Sequence, residues 1–224
     1  MRIGIIAAMQ VEIDDILAES MDTSVEVVFG RKIYISSRSG HSLYMGVSGI
    51  GKVNAATFAQ ILIDHFDVEV LLNTGIAGSL KGGLGTLSLV LATDLHYHDF
   101  PNKILRNTFP YLASFPTDDS LRQLAREAVP TGVKVEEGAI ATGDDFIDSN
   151  EKKAAIVAAT SAIACDMESA AVAHTAAAAG KPCLVIRCIS DEADENSAET
   201  YDHFESRAAA ISARVVLDLL DKLA

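Results

Sequence analysis

Apolar and polar positions follow two rhythms along this chain, and the rhythms predict its elements. Arg2–Ala8 is a short run with no polar side chain after Arg2, the pattern of a buried strand. Ile13, Ile16 and Leu17 then recur at helical spacing. Lys32–Ser37 and Ser42–Ser48 read as two strands joined at Gly40-His41. Lys52–Phe66 carries a helical stripe through Val53, Ala56, Ile61 and Leu62. Val68–Asn73 is a strand that ends in a glycine-rich turn, Gly75–Gly78, and Leu87–Leu95 is another strand. His96 to Pro116 reads as irregular, because Pro101, Pro110 and Pro116 interrupt it. A helix over Asp119–Ala128, a strand over Val133–Ala141 and a short strand over Ala162–Cys165 follow. Met167–Ala179 is an alanine-rich helix stopped by Gly180 and Pro182. Cys183–Ile189 is an apolar strand, and a last helix runs from Tyr201 to Leu220. The alternation predicts one α/β domain over residues 1–224, a central mixed β-sheet flanked by helices.

Composition narrows the partners. Of 224 residues, 49% are hydrophobic, enough for one sizeable core. No apolar run approaches the ~18–20 residues of a membrane span. The first residues look like a strand rather than a signal peptide, so the expected location is the cytoplasm. A formal charge of −13 repels phosphate backbones and anionic lipid, which argues against nucleic acid or a membrane and favours a small neutral or zwitterionic ligand. Cys165, Cys183 and Cys188 form no CxxC pair, and Cys183 and Cys188, in or beside an apolar run, read as small core residues.

In α/β sheets, ligands bind beyond the carboxyl ends of the strands. Glu12 follows the first strand, Met167 and Glu168 follow Ala162–Cys165, and Ser190 and Asp191 follow Cys183–Ile189. These carboxylates and the Gly75–Gly78 turn converge if the strands are neighbours. Each also has a structural reading. Glu12 or Glu168 can offset a helix dipole, and Asp191 can cap a turn. Two further patterns compete. Gly46-x-x-x-x-Gly51-Lys52 nearly matches a phosphate-binding loop, but Val53 stands where a Ser or Thr hydroxyl is needed. His96-x-His98-Asp99 could place two imidazoles on one strand face, yet no comparable third ligand set accompanies it, which favours a loop contact or a subunit-interface role over a metal site.

The motifs Ile3–Met9 with Glu12, Ser48–Val53, Asn73–Gly78, Tyr97-His98-Asp99, Thr142–Ile147, Asp166–Ala170, and Ser190-Asp191 preceded by Arg187 occur in that order. Together they resemble the bacterial 5′-methylthioadenosine/S-adenosylhomocysteine nucleosidases of the nucleoside phosphorylase superfamily. The resemblance implies a nucleoside phosphorylase-like fold, a homodimer, an adenine nucleoside substrate and no metal or organic cofactor. It implies that Asp191 donates a proton to adenine N7 and that Glu12 activates the attacking water, with Arg187 helping to hold that assembly. It further implies that Glu168 accepts bonds from the ribose hydroxyls, that Met167 packs on the sugar beside Ala77 and Gly78, and that Phe146 stacks on adenine beside the Ile147 backbone. Met9, Ile50 and Ser190 belong to the same substrate-facing motifs, and Phe204 corresponds to an aromatic that closes over the site.

Two other functions stay open at this level: a purine nucleoside phosphorylase, and a non-catalytic nucleoside-binding protein on the same fold. The phosphorylase needs cationic side chains for its nucleophile. Asn73 and Ile76 stand where hexameric phosphorylases carry an arginine and a serine. Ile76 also departs from the nucleosidases, which often have serine there. The stretch Phe100–Arg106 departs as well, in the region that covers the 5′ substituent, so methylthioadenosine, S-adenosylhomocysteine, 5′-deoxyadenosine and aminodeoxyfutalosine all remain candidates. Phe109, Tyr111 and Phe115 suggest either a greasy 5′ pocket or a greasy interface.

Overall fold

The computed structural model describes residues 1–223. Its strands are β1 (Arg2–Ala7), β2 (Met21–Val28), β3 (Arg31–Arg38), β4 (His41–Val47), β5 (Val70–Ser79), β6 (Leu89–Tyr97), β7 (Phe115–Pro116), β8 (Val135–Thr142), β9 (Ala164–Asp166) and β10 (Cys183–Asp191). Its helices are α1 (Asp14–Ala18), α2 (Lys52–Phe66), α3 (Asn102–Asn107), α4 (Asp119–Glu127), α5 (Asn150–Thr160), α6 (Ser169–Ala178) and α7 (Ser197–Lys222). A 3-10 turn, Gln10–Glu12, joins β1 to α1.

β5 organises the sheet because it is long enough to serve three neighbours. Its first half lies between β1 and β10, both parallel to it, and its far end pairs antiparallel with β9. β9 pairs β8, β8 pairs β6, and β6 pairs β10, so the ladder β5–β9–β8–β6–β10 closes on itself. β4, β3 and β2 extend the sheet outward from β1. Along β5 the side chains alternate between two cores. Leu71 packs with Phe58 and Leu62 of α2 and Val172 of α6. Val70 and Leu72 pack with Val216 and Leu220 of α7. Helices thus cover both faces, as the mixed α/β pattern predicts.

The differences from the sequence reading have local causes. Gly75–Gly78 is not a turn; it lies inside β5, fully buried and paired to β10. The stretch after His96 contains α3 and β7, and Phe115 is a core residue stacked on His174 at 4.3 Å. Phe109 and Tyr111 are exposed. β2 escapes sequence detection because it is an edge strand that buries only Val28. α5 escapes because its alanines form no stripe and only Ile156 is buried. α7 starts one turn earlier than Tyr201.

Candidate active site

The carboxyl ends of β1, β5 and β10 lie side by side, and the chain after β8 and β9 joins them. Together they enclose a cavity of about 330 Å³. All the residues singled out from the sequence line it, except Arg187 and Phe204.

Glu12 is brought in by the turn that follows β1. Its Oε2 accepts from the backbone N–H of Ala8 at 2.8 Å and of Met9 at 2.9 Å, and its Oε1 accepts from Ile76 N–H at 3.1 Å. These donors fix the carboxyl orientation through main chain alone. Gly75, at φ +153°, makes room for it: a Cβ there would overlap Glu12 Oε1 and lie 3.1 Å from Arg187 Nη1. Burial pushes the Glu12 carboxyl above its ordinary range, against the pull of Arg187 and the three N–H donors.

Asp191 ends β10 at a register shift, where Ile189 pairs Ala77 but Asp191 pairs Gly78. A bulge of this kind re-aims the side chain that follows it. Oδ1 accepts from Ala193 N–H at 2.9 Å and Oδ2 from the Ser190 hydroxyl at 2.8 Å. A Cβ on Gly78 would come within 2.9 Å of Asp191 Oδ1, so that glycine is needed for the approach. Burial raises this carboxyl too.

Glu168 precedes α6 and reaches across to α2, where its Oε1 accepts from Gly51 N–H at 2.9 Å. Burial, with the charge of Asp166 added, pushes it up to about 7. Glu12, Glu168 and Asp191 therefore line one cavity together with Asp145, Asp166 and Asp202, and burial holds the first three carboxyls above their ordinary range.

Arg187 lies beneath the cavity, 2% exposed. Its Nε donates to Asp166 Oδ2 at 2.8 Å and its Nη2 donates to Asn73 Oδ1 at 2.8 Å. The resemblance implies that Arg187 helps to hold the assembly of Glu12 and its water; the guanidinium acts on Glu12 through its field, while its own hydrogen bonds go to Asp166, Asn73 and the Ile186 carbonyl. Asp166 was missed as an individual residue. Its signal was its place two residues before Glu168, opposite a buried arginine.

On the far wall, Phe146 meets Tyr201 edge to face, with ring centroids 6.0 Å apart and planes at 87°. Tyr201 donates to Glu205 at 2.9 Å and contacts Met9 Sδ at 3.3 Å. Phe204 does not close over the cavity; it borders a neighbouring cleft with Glu199 and His203. Tyr201, one turn into α7, lines the cavity instead. The two competing patterns resolve as well. Gly51 N–H and Lys52 N–H at the start of α2 hold Glu168 and Asp144. His96 bonds Asp94, and no group of three or more His, Cys, Asp or Glu placed for a metal occurs among the described residues.

The sequence profile of the Phosphorylase superfamily matches residues 2–221. The chain is 36% identical to a 5′-methylthioadenosine/S-adenosylhomocysteine nucleosidase of Actinobacillus succinogenes, over 100% of both chains. It is 35% identical to an aminodeoxyfutalosine nucleosidase of Campylobacter jejuni, again over 100% of both. Among solved structures, it resembles the 5′-methylthioadenosine/S-adenosylhomocysteine nucleosidase of Neisseria meningitidis in complex with methylthio-immucillin-A, with a TM-score of 0.94 and 32% identity over 99% of each chain. No helix among the described residues is long and apolar enough to cross a membrane. With family profile, full-length relatives and fold in agreement, the chain belongs to the phosphorylase superfamily, within its 5′-methylthioadenosine/S-adenosylhomocysteine nucleosidase family.

Proposed function

We propose that this N-glycoside hydrolase releases adenine from 5′-substituted adenosines with Asp191 as acid, Glu12 as base and Glu168 as the ribose acceptor. Asp191, kept neutral by burial, gives its proton to adenine N7 as the C1′–N9 bond breaks and its electron pair leaves with the base. The sugar becomes an oxocarbenium-like cation. Water attacks C1′ and passes its proton to Glu12. Glu168 accepts from the ribose hydroxyls, and in its ionised form stabilises the cation in a poorly solvated site. Phe146, Ile147 and Tyr201 form the base wall, with Met9, Met167, Ile50, Ala77, Gly78 and Ser190 around the sugar.

One observation carries the choice of water over phosphate. A carboxylate, Glu12, is fixed by three backbone N–H groups at the nucleophile's end of the cavity, and no lysine or arginine lines that cavity among the described residues. A phosphate dianion would meet a carboxyl there and no lining cation to bind it. The names of the relatives, one a methylthioadenosine/S-adenosylhomocysteine nucleosidase and one an aminodeoxyfutalosine nucleosidase, support a range of 5′ substituents. Following adenine release from a panel of 5′-substituted adenosines, with and without phosphate, tests the reading. Release that is independent of phosphate and yields a free reducing sugar is expected. A phosphate requirement, with ribose 1-phosphate as product, would overturn it.

The chain works as one domain and as a homodimer. The exposed Phe109 and Tyr111, each 65% accessible, supply an apolar surface for a second copy. Sedimentation at micromolar concentration should give twice the 23.7 kDa chain mass. The three free, buried cysteines suit a reducing compartment, the cytoplasm.

A further inference from the structure

A cluster of charges outside the cavity joins its two ends. The first two N–H groups at the start of α2 hold carboxylates from two different strands. Gly51 N–H bonds Glu168, which follows β9, and Lys52 N–H bonds Asp144 Oδ1 at 2.9 Å, which follows β8. Gly51, at φ +97°, permits the crowding, since a Cβ there would lie 3.2 Å from Asp144 Oδ1. The Lys52 ammonium closes the arrangement: it bonds Asp99 Oδ2 and lies 3.4 Å from Asp144 Oδ2. Asp99 Oδ2 also accepts from Asp144 N–H at 2.9 Å. His98, next to Asp99, packs so tightly on Gly143 that a Cβ there would overlap its ring. Two residues beyond Asp144 the chain supplies Phe146 and Ile147 to the cavity wall.

We propose that Lys52, Asp99 and Asp144 are positioning residues: an ionic clamp that sets the span between Glu168, at the sugar end of the cavity, and the Phe146–Ile147 wall, at the base end. The clamp touches no substrate. It acts because one helix terminus holds the carboxylate of one end and the loop of the other, so neither moves without the other. The inference rests on the roles given above to Glu168 and Phe146. It accounts for the two sequence patterns that the chemistry itself left unused, Gly51-Lys52 and His98-Asp99.

A ligand that spans both ends should sense the clamp, and a ligand that fills one end should not. Lys52→Met removes the ammonium but keeps the backbone N–H that binds Asp144. Its KM for a 5′-alkylthioadenosine should rise about tenfold, the scale of one lost charged hydrogen bond at a positioned contact. The dissociation constant of free adenine should stay within about twofold, since adenine meets only the base wall. Asp99→Asn should reproduce the pattern, and Lys52→Arg should recover most of the nucleoside affinity. Equal weakening of adenine and nucleoside would overturn the clamp in favour of a merely structural role. No weakening of either would overturn it too. A wild-type protein that neither cleaves adenosines nor binds adenine would instead remove the functional reading, and the clamp with it.

Discussion

Arg187 Nη2 lies 2.8 Å from Asp166 Oδ2 and 3.9 Å from Glu168 Oε2, so the buried cation is committed to the carboxylate that does not follow the catalytic scheme. Burial keeps the Glu168 carboxyl high, and repulsion from Asp166 adds to it. Asp166→Asn should therefore lower the Glu168 carboxyl. With Glu168 in its proposed role of ribose acceptor, the acid limb of the kcat/KM profile should move to lower pH. Asp166→Ala should behave differently, costing ~3–5 kcal/mol in urea unfolding because it strands a buried guanidinium. An Asn variant whose acid limb stays in place would show that Asp166 does not control Glu168.

Glu12 and Asp191 should separate by leaving group. Glu12→Gln and Asp191→Asn should each slow adenine release by ~10²–10⁴-fold, the range for a lost acid or base. A riboside that carries a nitrophenolate, which departs without a proton, should rescue Asp191→Asn and leave Glu12→Gln slow. Equal fractional losses on both substrates would dismiss Asp191 as the acid.

Much of this site was legible because strand ends announce themselves. Apolar runs located β1, β9 and β10, and Glu12, Glu168 and Asp191 follow them directly. What was not legible depends on distance across the fold. Nothing local says that Gly75–Gly78 continues a strand; pairing with β10 makes it one. Nothing local says that Arg187 points below the cavity, because its partners Asn73 and Asp166 lie 114 and 21 residues away in sequence. Nothing local says which of Tyr201 and Phe204 faces the cavity, since they lie one turn apart on α7; the packing of that helix puts Tyr201 there.

Gly75 offers a test of steric permission. Gly75→Ala forces a methyl into the place of Glu12 Oε1. The overpacking should cost ~1–3 kcal/mol. Displacing the carboxylate by about 1 Å should cut kcat by ~10²-fold. Gly82→Ala, where a Cβ would meet nothing within 4 Å, is the control and should leave both kcat and the melting temperature unchanged. A Gly75→Ala variant as active as wild type would mean that Glu12 is not held where its hydrogen bonds place it.

Glu168 should make the enzyme less stable as pH rises. Its carboxyl stands at about 7 in the folded protein against an ordinary 4.5, so the folded state holds the proton more tightly than the unfolded chain. The stabilisation from that proton is complete below pH 4.5 and is lost as pH rises through about 7. Glu168→Gln mimics the protonated form and keeps an oxygen for Gly51 N–H. The variant should therefore melt higher than wild type at pH 8, by several degrees, given that ~1 kcal/mol moves Tm by about 2–4 °C at this size. Near pH 5 the difference should shrink towards zero. It should also lose activity, because an amide is a weaker acceptor for ribose hydroxyls and carries no charge to face the cation. A stability gain that is the same at both pH values would mean that ionisation of Glu168 is not its source. A wild type more stable than the variant at pH 8 would reverse the sign and reject the raised carboxyl.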